Sequence, residues 1–219
     1  EVDEDFEALW AEVPTYSIRG PGDVLPMFAD RPMKFEPGGR FSYCNSGYLM
    51  LGLLIEQHSG QSWSEYTHDR VIAVSGMADS GFYPMDRVPS RTALNYLTDE
   101  DPDDPRTNIF TVPSFPQPDG GAFVTAPDMA RLWDALASGA LLKPATLDAM
   151  KHQHTPGYGY GLWIEEQGDR LIHHAEGGDP GVNFVSGVSF DTDTVVTVIS
   201  NTDGGVAKIY RAIWEDLTG

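Results

Sequence analysis

Tyr43 and Asn45, a phenol and a carboxamide two residues apart, are the side chains best placed by type and spacing to do chemistry. A tyrosine that has lost its proton is a base, and a free pKa of roughly 10 means that it needs a cation close by. Asn45 carries both a donor and an acceptor, so it can address a substrate amide or that cation. By spacing alone the pair also fits a core aromatic with a satisfied hydroxyl beside a turn amide. Cys44, between them, is the only cysteine and excludes an internal disulfide. It reads as buried filler rather than a nucleophile.

The elements that must position this pair run from Lys34 to Gly60. Pro37 fixes φ, and Gly38 and Gly39 permit positive φ, so Phe35 and Phe41 are expected to return over one core as a rigid arm. An extended segment would then point Tyr43 and Asn45 to one face and Cys44 to the other. Ser46 is the expected N-cap of a helix through Leu49, Met50, Leu51, Leu53, Leu54 and Ile55 to about His58, with Gly60 beyond it. Apolar nearly all round, that helix is expected to be buried.

The run Pro-Gly-Gly-x-Phe-x-Tyr-x-Asn-x-Gly-Tyr, Pro37 to Tyr48, resembles the Tyr-x-Asn element of the serine β-lactamase-like family, which includes class C β-lactamases, D-alanyl-D-alanine carboxypeptidases and related esterases. Further matches follow in that family's order. They are Gly120 to Arg131, Tyr158 to Trp163, Gly177 to Val182, and the strand Val195 to Asn201 that ends in Ile-Ser-Asn.

The family's nucleophile is the serine of Ser-x-x-Lys, and no serine in this sequence has a lysine three residues on. In relatives that motif lies well upstream of Tyr-x-Asn, whereas only 42 residues precede Tyr43. The resemblance therefore implies the later part of a longer protein, with an N-terminal segment as its partner.

In relatives the strand facing the serine carries Lys or His, any residue, then Gly. Counting back from Gly177-Gly178-Asp179-Pro180-Gly181 puts the Lys or His position on Ala175. Three readings follow: His174 slips into that place through a bulge, His173 reaches in from one pleat away, or the cation is absent and the site specialised. Glycines at 177 and 178 would let a substrate backbone lie against the strand. By resemblance, Tyr43 acts with the missing lysine as base, Asn45 orients the substrate, and the Gly178 N–H stabilises the oxyanion. Glu176, Gly177 and Tyr160 would border the substrate, a small molecule or peptide, and Phe110 and Phe115 would add an apolar rim. The rival reading is a non-catalytic member of the same fold that binds peptidoglycan-like peptides or other ligands.

Composition sets the remaining bounds. With 219 residues and 41% hydrophobic content, the chain can bury one large core or two smaller ones. No apolar run is long enough for a membrane span. A net charge of −19 argues against nucleic acid and anionic membranes as partners and favours solubility, in the cell envelope or the cytoplasm. The acids Asp99, Glu100, Asp101, Asp103 and Asp104 lack the glycine and glutamate of an EF-hand loop and read as a solvated loop. His152-x-His154 has no third ligand positioned by sequence, so neither a metal nor another cofactor is expected.

The fold expected is α+β, a helical lobe joined to an α/β lobe with an antiparallel sheet, a partial β-lactamase/transpeptidase-like fold. Residues 1–156 form the mostly helical part, with Phe6, Leu9 and Trp10 at helical spacing. A capping box at Ser62-Trp63-Ser64-Glu65 and a Thr125-capped helix burying Met129, Leu132, Trp133 and Leu136 follow. Residues 157–219 read as strands Tyr158–Glu165, Arg170–Ala175, Val182–Phe190 and Thr194–Ser200. A last helix presents Val206, Ile209, Tyr210, Ile213 and Leu217 to them.

Overall fold

A computed structural model describes residues 13–98 and 103–218. Phe6, Leu9 and Trp10, and the acids Asp99, Glu100 and Asp101, lie outside the described residues. The chain gathers into two compact units. One holds the chain up to Asp69 with Gly81–Thr92 and Ile109–Phe123; the other holds Arg70–Ser80, Ala93–Asn108 and the chain from Val124 on.

The first unit is built from helices α1 (Pro21–Val24), α2 (Asn45–Ser59) and α3 (Trp63–Thr67). Its core joins Ile18, Val24 and Leu49, with Val13, Met27 and Phe28 packed against them. α2 ends where Gly60 takes φ +72°, a conformation that favours glycine over residues with a Cβ. Gly52 lets a loop lie directly on the helix, because a Cβ there would sit 2.2 Å from Pro118 Cγ. The expectation of a fully buried helix fails: Leu49 and Gly52 are buried, but Met50, Leu51 and Leu54 are exposed. The apolar residues go round the cylinder, whereas the unit packs against one side of it. α3 carries the expected capping box, with the Ser62 side chain accepting from the Glu65 N–H and Glu65 reaching back to the Ser62 N–H.

In the second unit, β1 (Tyr96–Leu97) and β2 (Arg106–Thr107) make a short antiparallel pair. Strands β3 (Trp163–Gln167), β4 (Arg170–Asp179), β5 (Val182–Ser189) and β6 (Thr194–Ser200) form one antiparallel sheet in sequence order. α4 (Ala126–Ala137) and α5 (Pro144–Lys151) cover one face, where Trp133, Leu136, Leu147, Leu162 and Val188 are buried together. The Trp133 indole N–H donates to Ser186 Oγ at 2.8 Å, and Ser186 is bonded in turn to Thr197 at 2.7 Å.

α6 (Val206–Thr218) covers the other face. There the buried stripe is Val206, Tyr210 and Trp214 against Ile172, Val185 and Val196. Ile209, Ile213 and Leu217 are exposed, contrary to expectation. A row at spacing four led by the fully buried Trp214 turns the helix so that the isoleucines face outward. Burying each large apolar side chain contributes on the order of 2 kcal/mol, so Trp214 and Tyr210 decide the rotation. Gly187 makes that packing fit, since a Cβ there would lie 2.0 Å from the Tyr210 hydroxyl.

Thr125 caps α4 as expected, accepting the Asp128 N–H. Asp128 does more than favour the helix dipole. Fully buried, it accepts from the Asp79 N–H at 2.9 Å, the Ser80 hydroxyl at 2.7 Å and the Arg131 guanidinium. Burial works to raise its pKa, but those bonds outweigh it and hold the carboxyl below its usual value.

Candidate active site

The candidate residues fall into two groups, one in each unit. In the first, the Pro37 turn closes through the Gly39 N–H to Glu36 O at 2.9 Å with Gly38 at φ +81°. The arm does not return both phenylalanines to a core: Phe35 is half-buried beneath the Arg40 guanidinium, 4.7 Å from the ring centre, and Phe41 is exposed. Tyr43 is 40% exposed, with its ring centre 5.8 Å from that of Tyr48.

The helix starts two residues earlier than the expected cap at Ser46. Cys44, at φ −157° and ψ 113°, is the N-cap, and Asn45 is the first helical residue. Tyr43 and Asn45 therefore sit on either side of a strand-to-helix corner, so the two-residue alternation of a strand does not govern their directions. Cys44 is half-buried, and its Sγ lies 2.9 Å from the Ser46 hydroxyl. That contact occupies the serine that was expected to cap the helix.

The second group lies on β4. β3 pairs with β4 only as far as Trp163 opposite His174, while β4 pairs with β5 down to Asp179 opposite Val182. Ala175 to Asp179 thus have β5 on one side and, among the described residues, no strand on the other. The Ile164 N–H donates to Gly157 O, away from β4, so Trp163 and its partner His174 are the residues that address one another. Alternation along an antiparallel ladder then turns the backbone N–H groups of Glu176 and Gly178 toward the side β3 leaves uncovered. A Cβ placed on Gly177 would meet nothing within 4 Å, whereas one on Gly178 would come within 3.0 Å of Asn183 Nδ2.

The register from His173 to Asp179 is continuous, without the bulge that would bring His174 into the place of Ala175. His174 lies on the α6 face, its ring centre 6.0 Å from that of Tyr210 and its nitrogens 4.0 Å from Glu165 and from Glu176. His173 shares the Ala175 and Gly177 face but is held under α5, with Nε2 3.2 Å from Lys151 O and its ring against Phe190. Burial pushes both histidines below their ordinary pKa. Glu165 and Glu176 pull His174 the other way, and the Lys151 carbonyl does the same for His173. Tyr160, 60% exposed, stacks on His154 at 4.0 Å in the turn leading into β3.

The sequence reading missed the groups that hold the end of β4. Asp203 accepts the Gly181 N–H through one oxygen and the Thr98 N–H, at 2.9 Å, through the other. These backbone N–H groups hold its carboxyl below the usual pKa. The buried Asn108 donates to Pro180 O at 2.9 Å, and Gly181 takes φ +81° so that Tyr96 and Asn108 can crowd against it. Residues 93–98 and 106–108 are in this way fastened to the turn that follows the glycine pair. The signal was present in Asp203, two residues past the Ile-Ser-Asn strand end, but an exposed-looking Asp-Gly-Gly is also what an ordinary turn contains. Among the described residues, no group of three metal-binding side chains converges.

A family model described as Beta-lactamase matches residues 3–218. Penicillin-binding protein 4 of Amycolatopsis lactamdurans is 27% identical over 211 residues, covering 87% of this chain and 55% of that protein. The crystal structure of a penicillin binding protein from Bacillus halodurans is 39% identical, with a TM-score of 0.92 over 99% of this chain and 68% of that one. A D-amino acid amidase from Ochrobactrum anthropi SV3, solved with L-phenylalanine amide, shares the fold at 22% identity, with a TM-score of 0.71 over 95% of this chain and 65% of that one. The chain spans about half the length of the curated relatives it matches, 55%, 49% and 44% of three of them.

Proposed function

Because this chain belongs to the Beta-lactamase family, we propose that it is the C-terminal portion of a serine hydrolase that works through an acyl-enzyme on an amide or ester. The nucleophile is the serine of a Ser-x-x-Lys motif in an upstream segment, which this sequence does not contain. Serine Oγ bonds to the substrate carbonyl carbon while lysine and Tyr43 take the hydroxyl proton. As the bond to the leaving nitrogen or oxygen breaks, the same pair returns a proton to it, and water then hydrolyses the acyl-enzyme.

The observation that supports this reading most directly is the overhang of β4 from Ala175 to Asp179, with the Gly178 N–H turned to the uncovered side. One such donor, aimed at a developing oxyanion, is typically worth about 3 to 4 kcal/mol. Asn45, in the first turn of α2, positions the substrate amide, and Glu176, Gly177 and Tyr160 border it. β-Lactams, D-alanyl-D-alanine-type peptides and small esters are the substrate classes to test.

Ala175 at the family's Lys or His position favours a second reading, a ligand-binding or regulatory member without turnover. The discriminating experiment treats the full-length protein with a fluorescent penicillin and with a fluorophosphonate. Covalent labelling supports the hydrolase. Absence of labelling by both, in a protein that carries the serine, rejects it in favour of the binding role.

A further inference from the structure

On the face of β4 that carries Ala175 and Gly177, the next side chain in the alternation is Asp179. Opposite Gly177 on β5 stands Phe184, and beside Phe184 on β6 stands Ile199, which is exposed. The space over Gly177 is open. This end of the sheet face is thus an apolar floor of Ala175, Phe184 and Ile199 around one bare glycine, with a single ionisable side chain beside it. Among the described residues no cation offsets that carboxylate. Among the described residues no ion pair or hydrogen bond reaches the Asp179 carboxylate, whose backbone alone is paired, opposite Val182. Loss of surrounding water pushes its pKa above the ordinary carboxylate value, although the residue is exposed to solvent. His173, on the same face, is turned into the α5 contact and held toward its neutral form by burial. His174 lies on the opposite face beside Tyr210.

A site that receives a substrate carboxylate needs a fixed cation, and this one offers an unpaired carboxylate instead. We propose that the uncovered stretch of β4 takes a substrate bearing a protonated amine, a free aminoacyl amide or ester, and discriminates against one bearing a carboxylate, with Asp179 as the selecting residue. The ammonium settles against Asp179 while the acyl carbonyl lies at the edge toward which the Gly178 N–H points. The ion pair restores to the carboxylate what it lost in hydration, and the apolar floor of Phe184 and Ile199 takes the acyl side chain. A carboxylate in the same position meets like charge and no donor.

The inference rests on the hydrolase reading for its chemistry, but the sign of the charge preference can be measured without turnover. Full-length protein labelled with 15N is titrated with three ligands alike but for the amine: D-alanine p-nitroanilide, its N-acetyl form and its N-succinyl form. Affinities are read from the Gly177 and Gly178 amide shifts. The ammonium ligand is expected to bind about fivefold more tightly than the acetyl form, the upper end of what an exposed ion pair supplies, and the succinyl form more weakly still. Asp179→Asn is expected to bring the first two within about twofold, again by the removal of that pair.

Equal affinities, tightest binding of the succinyl form, no binding of any of the three, or a preference that survives Asp179→Asn would each overturn the proposal. Labelling by an uncharged fluorophosphonate reports separately on the acyl-enzyme. Labelling without charge preference rejects the role of Asp179 and keeps the hydrolase. Charge preference without labelling keeps the amine site and rejects acyl transfer.

Discussion

Gly177 and Gly187 are two strand glycines with opposite reasons to be small, and their neighbours separate the reasons. Over Gly177 there is nothing for a Cβ to strike, so the fold itself does not require glycine there. Gly177→Ala is therefore expected to leave urea stability unchanged or slightly raised, since alanine restricts the unfolded chain. On the hydrolase reading, by narrowing the approach to the edge, it should raise the KM of the full-length protein by about tenfold, the equivalent of one misplaced methyl group in a tight site. A loss of stability with KM unchanged would show that Gly177 serves packing.

Titration of the buried groups also belongs to the residue scale. His173 and His174 have folded pKa values below the unfolded value of 6.5, so below that pH the unfolded chain takes up protons the folded chain resists. Stability is then lost progressively as pH falls from about 6.5 toward the depressed folded values. Asp203, with a folded pKa below 3.8, adds a loss of the same sign further down, as pH falls through its own folded value. Denaturant midpoints measured from pH 8 to pH 4 should decline, and His174→Gln should flatten the part near pH 6. A midpoint that rises on acidification from pH 7 to pH 6 would contradict the histidine assignments.

Among the elements, the α6–sheet contact is the most demanding. Gly187→Ala must push the Tyr210 hydroxyl outward, or shift His174 Cβ, which would lie only 2.9 Å from the added carbon. Overpacking of this kind costs about 1 to 3 kcal/mol, and a lowered urea midpoint with an unchanged slope is the expected result. An unchanged midpoint would mean that α6 is free to lift.

The sequence foretold the strands from Arg170 onward because each alternates and each turn carries its Gly, Pro or Asp, but it ended β4 at Ala175, whereas the strand runs on through the glycine pair to Asp179. It also placed the caps of α3 and α4, since a capping side chain is a local chemical signal. Two features escaped it for one physical reason. Which side of an apolar helix is buried depends on what packs there, so nothing local distinguished Trp214 from Ile213, or Leu49 from Leu51. The start of α2 escaped because Cys44 spends its side chain on Ser46, and the cap passes to a residue whose type gives no warning. At the candidate site, the resemblance pointed to Gly177 and Gly178, but the hold of Asp203 and Asn108 on the following turn links residues about seventy to a hundred apart and became visible only in the fold.

For the whole molecule, an acidic chain with net charge −19 carries a family fold whose relatives include penicillin-binding proteins, and no described helix is long and apolar enough to cross a membrane. The hydrolase reading assigns the phenol of Tyr43 a proton-transfer role and leaves the serine to another part of the protein. Intact-mass spectrometry of the full-length protein, mixed with an uncharged fluorophosphonate and sampled over time, tests that assignment most directly. The expected result is one phosphonyl adduct per chain on a single serine, with fluoride released, formed at least about a hundredfold more slowly in Tyr43→Phe, the lower end of what a general base contributes. An adduct that forms at the same rate in the variant would contradict the role of Tyr43, and no adduct in either protein would contradict the acyl-enzyme itself.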